Sequence, residues 1–178
     1  MQRALVMTLL GEDRPGLVES VARVVARHGG NWLESRMSRL GGQFAGIVQV
    51  EVEAAQEQPL AEALQSLSSR GLTVIVQADR PQAARVPRSV SLLEIVGQDR
   101  PGIVNQISHA LAGFGVNVEE LQTECASAAM SGESLFKARA KLSIPDSCNR
   151  EELRQQLEKI AADLIVDISL EPLPAARD

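Results

Sequence analysis

The sequence predicts an α+β protein in which one β-α-β-β-α-β unit occurs twice. Two observations carry this prediction. The pattern Gly-x-Asp-Arg-Pro-Gly occurs at Gly11–Gly16 and again at Gly97–Gly102, an offset of 86 residues in a chain of 178. Aligning residues 11–34 with 97–120 gives ten identities in 24 positions, and such internal repetition indicates a duplicated structural unit. In each half, segments typical of strands also alternate with segments whose apolar residues have helical spacing.

The first half divides into six elements. A continuous apolar run predicts a strand, helical spacing follows it, and glycines end that helix and form a hairpin turn at Gly41-Gly42. An alternating run then predicts a half-buried strand, and leucines at helical spacing precede a last apolar run. The predicted strands are Arg3–Leu10, Asn31–Leu40, Phe44–Val52 and Leu72–Gln77, and the predicted helices are Arg14–His28 and Leu60–Leu67, the latter ending at Gly71.

The second half repeats this order. Its predicted strands are Ser89–Val96, Asn117–Cys125, Phe136–Ile144 and Leu164–Leu170, and its predicted helices are Pro101–Phe114 and Arg150–Asp163. This is the order of ferredoxin-like domains, in which two helices cover one face of a four-stranded antiparallel sheet. Phe44 and Phe136 look equivalent but differ by 92 positions, so the second half carries six extra residues in its middle hairpin, within Ala126–Glu133.

We expect two domains, residues 1–80 and 89–172. An extended linker at 81–88 contains two prolines, and a loose tail covers 173–178. The net charge of −5 argues against a nucleic-acid surface. No apolar run approaches the ~20 residues of a membrane helix, and Cys125 and Cys148 are predicted to be reduced thiols. A cytoplasmic protein is therefore expected.

The repeated turn is the main candidate for a binding site. Its proline suits a first helical turn, Asp13 and Asp99 can cap the helix, and Gly16 and Gly102 leave the backbone uncovered. Free N–H groups at a helix N-terminus bind carboxylates, and a nearby Asp carboxylate or Asn carbonyl can take an ammonium group. The pattern therefore suits an amino acid, although a well-capped helix start explains it equally well without a ligand.

Asn31 and Asn117 each begin the strand after the first helix of their half. Within one half, that strand start is expected at the opposite end of the helix from the turn. Antiparallel pairing of the helices of the two halves would bring the turn of one towards the Asn of the other. A turn residue after a helix is the alternative explanation for each Asn.

The pattern Asp-Arg-Pro-Gly-aliphatic-Val, followed by Gly-x-Asn, resembles the ACT domain, a small-molecule-binding regulatory module. The resemblance covers roughly Arg3–Gln77 and Ser89–Leu170. Two tandem ACT units with no enzyme domain in the sequence, together with the segment Met130–Phe136, resemble the glycine cleavage system transcriptional repressor family. The resemblance implies ligand-binding residues Asp13, Arg14, Pro15, Gly16 and Asn31 in the first half and Asp99, Arg100, Pro101, Gly102 and Asn117 in the second.

The same resemblance implies a cytoplasmic, non-enzymatic regulator that senses glycine and represses transcription by binding a DNA-binding activator rather than DNA. Gly30 precedes Asn31 where Val116 precedes Asn117, so the two sites need not have equal affinity. Two alternatives stay open: a protein-interaction module without a ligand, and a regulatory subunit of an amino-acid metabolic enzyme. A homo-oligomer is compatible with all three.

Enzymatic patterns are absent from the sequence. It contains no pair of Cys and His, no His-Glu-x-x-His and no phosphate loop, so no cofactor or metal is expected. His28 is predicted to pack at the end of an apolar stripe, and His109 is predicted to be solvated.

RNA-recognition domains share the predicted topology and stack bases on aromatic residues of the sheet. Phe44 and Phe136, however, belong to the apolar sets expected to face the helices. The opposite face of the second half carries a modest basic stripe, Lys137, Arg139 and Lys141, which we interpret as a solvated or partner-binding surface.

Overall fold

The computed structural model describes residues 1–79, 88–127 and 134–174, and the chain divides into two compact units, Met1–Gln82 (unit 1) and Ala83–Asp178 (unit 2). The described residues follow the predicted order in each unit. Unit 1 contains β1 (Gln2–Glu12), α1 (Leu17–Arg27), β2 (Asn31–Leu40), β3 (Gln43–Glu53), α2 (Glu57–Gln65) and β4 (Leu72–Ala78). Unit 2 contains β5 (Arg88–Gln98), α3 (Ile103–Gly113), β6 (Asn117–Ser127), β7 (Ser134–Pro145), α4 (Arg150–Leu164) and β8 (Val166–Pro172).

Each unit has one antiparallel sheet, with strand order β2-β3-β1-β4 in unit 1 and β6-β7-β5-β8 in unit 2. The predicted α+β class and the ferredoxin-like topology are confirmed. Arg88, expected in the linker, belongs to β5, and residues 80–87 lie outside the described part. Leu173, expected in a loose tail, still donates its amide to the carbonyl of Val90 at 2.9 Å.

Each unit has its own aliphatic core between its two helices and one face of its sheet. In unit 1, alternate residues of β1 pack with residues of α1 that recur at helical spacing, and the core includes Leu5, Met7, Leu9, Leu17, Val21 and Val25. The core of unit 2 is built in the same way and includes Leu93, Ile95, Ile103, Ile107 and Leu111. The opposite face of each sheet is left to the alternate, more exposed residues.

The longer hairpin of unit 2 is confirmed by the strand register. Arg39 pairs with Phe44 in unit 1, and Cys125 pairs with Phe136 in unit 2. Four residues separate Arg39 from Phe44 and ten separate Cys125 from Phe136, so the hairpin of unit 2 is six residues longer beyond these pairs. Positions 128–133 of the predicted insertion fall outside the described residues.

The two units fill the space at the start of their second strand differently. A side chain on Gly30 would bring its Cβ to 2.8 Å from Cγ1 of Val25, so this position of unit 1 has no room for one. The partly buried indole of Trp32 packs against the core two residues later. In unit 2 the equivalent residues are Val116, which is only 6% exposed, and Val118, which is 37% exposed. Val116 is therefore a core residue rather than a ligand contact.

Candidate functional site

The repeated turn has the same backbone geometry in both units. Gly16 (φ 90°, ψ 3°) and Gly102 (φ 97°, ψ −6°) are the N-cap residues of α1 and α3. These angles are those of the third residue of a type II turn, where glycine is required and the preceding position favours proline. The helices therefore begin at Leu17 and Ile103, later than predicted, and the prolines precede the helices. The positive φ at these two positions is sufficient to explain why both are glycine.

The prediction that Asp13 and Asp99 cap the helices is wrong. Neither helix has a side-chain bond at its N-cap. The backbone amides of Asp13 and Asp99 instead donate to the carbonyls of Gly42 and Ser134, each at 2.9 Å, and tie the turns to the neighbouring hairpins. The bond from the Gln106 amide to the Gly102 carbonyl is of the ordinary helical i→i−4 kind, and the amides before it have no such partner. The helix starts therefore keep N–H groups that could donate hydrogen bonds to an anion.

The carboxylates of the two turns have different neighbours. The Asp13 carboxylate forms an ion pair with Arg39, with Oδ2 and Nε 2.6 Å apart. In unit 2 the equivalent of Arg39 is Cys125, since both pair with the phenylalanine of the adjacent strand. Partial desolvation, then the charge and hydrogen bonding of Asp99, raise the pKa of the Cys125 thiol.

No lysine or arginine among the described residues lies within 4.0 Å of the Asp99 carboxylate, which is exposed. The turn of unit 2 therefore carries a negative charge that Arg39 offsets in unit 1. Arg39 and Cys125 are not among the site residues predicted from the sequence. Their common offset of 86 residues, the same as that of the motif, was the available signal.

The two arginines of the motif are engaged within their own units. The guanidinium of Arg14 donates to the carbonyl of Arg70, just before β4. The guanidinium of Arg100 donates to Oε1 of Gln98 at 3.0 Å. The prolines of the motif, Pro15 and Pro101, are exposed. The two arginines therefore differ in their partners, a backbone carbonyl for Arg14 and a side-chain amide for Arg100.

Each asparagine lies far from the turn of its own unit, as expected. Asn31 is opposite Glu51 on β3, whereas Glu12, the residue before Asp13, is opposite Gln43. Eight residues of strand separate these positions, or about 26 Å at about 3.3 Å per residue. Unit 2 has the same spacing of eight residues, because Asn117 is opposite Ser143 and Gln98, the residue before Asp99, is opposite Leu135. Both asparagines are exposed, begin strands and lack a positive φ, so a left-handed turn does not explain them.

The histidines and the phenylalanines of the third strands have the surroundings predicted from the sequence. Nδ1 of His28 is 2.9 Å from the carbonyl of Val24, and His109 is exposed. Both phenylalanines of the third strands pack against the cores, as expected. The basic stripe of unit 2 is matched by carboxylates, with ion pairs Lys137–Glu124 at 3.5 Å, Arg139–Glu94 at 3.7 Å and Lys141–Glu119 at 3.2 Å.

Within the described ranges, no cluster of three or more His, Cys, Asp or Glu side chains could hold a metal ion. None of the helices in those ranges combines the length and apolar character needed to cross a membrane. Both cysteines are free thiols, Cys125 exposed and Cys148 partly buried.

The ACT domain family model matches residues 3–77 and 90–171, which covers both units. The chain belongs to the ACT domain family. This tandem ACT-domain protein is 24% identical over 165 residues to the glycine cleavage system transcriptional repressor of Escherichia coli (strain K12), across 92% of this chain and 86% of the relative. The repressor of the same name from Shigella flexneri matches equally well.

Two solved structures share the architecture of the tandem ACT-domain protein over nearly its whole length. A protein of unknown function from Galdieria sulphuraria superposes with a TM-score of 0.88 at 28% identity, covering 98% of this chain and all of the other. A protein provisionally assigned as a glycine cleavage system transcriptional repressor superposes with a TM-score of 0.71 at 19% identity, covering 97% and 98%. At 19% identity, the second superposition is evidence of a shared fold alone.

Proposed function

We propose that this tandem ACT-domain protein is a non-enzymatic, cytoplasmic regulator that senses an amino acid and represses transcription of a glycine cleavage operon through a DNA-binding activator. The observation that carries the sensing part is the turn of unit 2. There, the first-turn amides of α3 have no side-chain cap, and Asp99, four residues before the helix, has no cationic partner within 4.0 Å among the described residues. ACT domains typically bind amino acids.

An amino acid matches this pair of groups by charge. Its carboxylate would accept hydrogen bonds from the first-turn amides of α3, where the helix dipole also favours a negative charge. Its ammonium group would lie against Asp99. The turn of unit 1 has the same amides, but a ligand ammonium would have to compete with Arg39 for Asp13. We therefore expect unit 2 to bind more tightly. Glycine is the first ligand to test, because the relatives are named for the glycine cleavage system.

The asparagines fit this site only under one condition. Since Asn31 and Asn117 lie about 26 Å from the turn of their own unit at about 3.3 Å per strand residue, neither can reach a small ligand bound there. An Asn that contacts the ligand would have to belong to a different ACT unit, in the same chain or in a homo-oligomer. If substitution of both asparagines by alanine leaves affinity unchanged, they are not part of the site.

The proposed partner is a protein rather than DNA. The net charge of −5 opposes binding to phosphates, and the basic stripe of unit 2 is already paired with carboxylates. The name of the relatives supplies the transcriptional role.

Isothermal titration calorimetry with glycine, serine and alanine tests the sensing proposal. We expect heat of binding with one of them, a large loss of affinity in Asp99→Asn and a smaller loss in Asp13→Asn. The two variants are matched, because each removes one carboxylate charge from the same turn without changing side-chain size. A folded sample that gives no heat with any of these ligands, or with valine, would refute amino-acid sensing.

A pull-down with and without glycine tests the partner. Capture of a transcriptional activator that changes with added glycine is the expected result. Capture of an amino-acid metabolic enzyme instead would support the regulatory-subunit alternative. Capture of an activator that no amino acid affects would support an interaction module without a ligand.

A further inference from the structure

The outer face of the sheet of unit 1, opposite its two helices, is apolar at its centre. Leu10 of β1, Ile47 of β3 and Ile75 of β4 alternate with core residues and are 50%, 56% and 55% exposed. The strand register places Ile47 and Ile75 on either side of Thr8 in one row across the sheet, and Leu10 lies in the next row. We call the exposed side chains of these two rows the unit 1 patch: Thr8, Leu10, Ala45, Ile47, Thr73 and Ile75.

The equivalent positions of unit 2 are mostly charged. The register assigns to them Glu94, Val96, Lys137, Arg139, Asp167 and Ser169. Four of these six side chains carry a charge, and Arg139 and Glu94 form an ion pair at 3.7 Å. An apolar surface laid over such a face would take the charges out of water, which costs free energy. A face like that of unit 2 is therefore a poor cover for the unit 1 patch.

Polar and charged groups surround the unit 1 patch without entering it. Arg36 of β2, which is opposite Ile47, forms an ion pair with Glu34 at 3.2 Å. In the row beyond Thr8, the side-chain amide of Gln49 donates to the Asp79 carboxylate at 2.9 Å. An apolar centre inside a polar rim is the usual anatomy of a protein–protein interface. A contiguous exposed patch of this kind marks an interaction site, whereas single exposed aliphatic residues do not.

The lack of charge and the size of this face indicate what covers it. An uncharged apolar surface matches a second surface of the same kind, and in a two-fold dimer each copy presents the same surface to the other. Four strands of 7–11 residues, at about 3.3 Å per residue and about 4.8 Å between strands, give a face of about 600 Å². Two such faces would bury about 1,200 Å², which reaches the range of specific, stable interfaces. We propose that two copies of this chain pair through the outer sheet faces of their first units, with the unit 1 patch of one on that of the other.

Sedimentation equilibrium of the full chain, with no amino acid added, tests this inference. We expect the parent protein to sediment with twice the chain mass. Ile47→Arg and Ile75→Arg should each raise the dissociation constant of the dimer at least about tenfold, because each places one unpaired charge per copy in the interface. Ile165→Arg is the matched control, since it makes the same change at an isoleucine that is 64% exposed at the end of α4 in unit 2. The pairing does not depend on amino-acid binding, so its failure leaves the proposed function standing.

Methyl NMR spectra of the parent protein give a second measurement that needs no substitution. Dilution should shift the methyl signals of Ile47 and Ile75 and leave those of Ile165 unmoved. A parent protein that is monomeric at its highest soluble concentration, or a dimer that Ile47→Arg and Ile75→Arg leave intact, would overturn the inference. Equal weakening of the dimer by Ile165→Arg would also overturn it. A monomeric chain that captures an activator, and loses it in Ile47→Arg alone, would assign the unit 1 patch to that partner and overturn pairing between copies.

Discussion

Exchanging the residues at positions 39 and 125 tests whether the neighbour of the motif carboxylate sets ligand affinity. Arg39 contacts Asp13 at 2.6 Å, with the two side chains 71% and 32% exposed. Exposed ion pairs of this kind contribute about 0.2–1 kcal/mol. Cys125→Arg gives Asp99 the same competitor, so a ligand ammonium must displace it. Since about 1.4 kcal/mol corresponds to a tenfold change in affinity, we expect amino-acid binding at unit 2 to weaken by up to about fivefold.

Arg39→Cys is the reciprocal change, and it should strengthen binding at unit 1 by a similar factor. Titration of each variant with glycine and with valine measures both effects, and the unaltered unit serves as the internal reference. High ionic strength should shrink both effects, because exposed charges are screened. If Cys125→Arg binds as tightly as the parent protein at low salt, the charge of Asp99 does not contribute to ligand binding.

Three further outcomes follow from local geometry. Gly102→Ala should lower the free energy of unfolding by about 1–2 kcal/mol, because the φ of Gly102 is 97°. Gly113→Ala, at the open C-terminal end of α3, should raise it by about 0.5–1 kcal/mol. Urea denaturation that ranks the two variants in the reverse order would contradict the backbone assignment. Asp99→Asn should lower the pKa of the Cys125 thiol towards its ordinary value, because it removes a negative charge that disfavours the thiolate. Alkylation of Cys125 by iodoacetamide at mildly alkaline pH should then be faster. An unchanged alkylation rate would show that the Asp99 carboxylate does not act on the thiol. Gly30→Val should lower the free energy of unfolding by about 1–3 kcal/mol through overpacking, because its Cβ would lie 2.8 Å from Cγ1 of Val25 in α1. A variant that unfolds thermally at the same temperature as the parent protein would argue against this contact.

The fold could be predicted from the sequence because its signals are local and repeated. Apolar residues at helical spacing in α1 and alternating residues in β3 and β7 each specify an element and its buried face. The repeated motif then showed that both halves share one order of elements. Boundaries were less accurate at the turns, where Gly16 and Gly102 form type II turns before the helices begin.

The surroundings of the candidate site could not be predicted, because they depend on the register across the sheet. The pairing of β2 shifts between Trp32 and Glu34, and that of β6 shifts between Val118 and Glu120. An extra residue at such a bulge reverses which later side chains face the helices. Arg39 therefore lies on the same side of the sheet as Phe44, beside Asp13. Simple alternation from Trp32 would place Arg39 on the outer face.

The different packing of Gly30 and Trp32 in one half, and of Val116 and Val118 in the other, has a consequence for how a duplicated chain assembles. Tandem copies that are too alike can exchange strands while they fold and become trapped in misassembled forms. Here a β6 segment docked in unit 1 would bring a valine to the position of Gly30, where Val25 leaves no room for a side chain. A β2 segment docked in unit 2 would bring an indole to the position of the smaller Val118. Divergence at these two positions therefore favours pairing of each second strand with its own half.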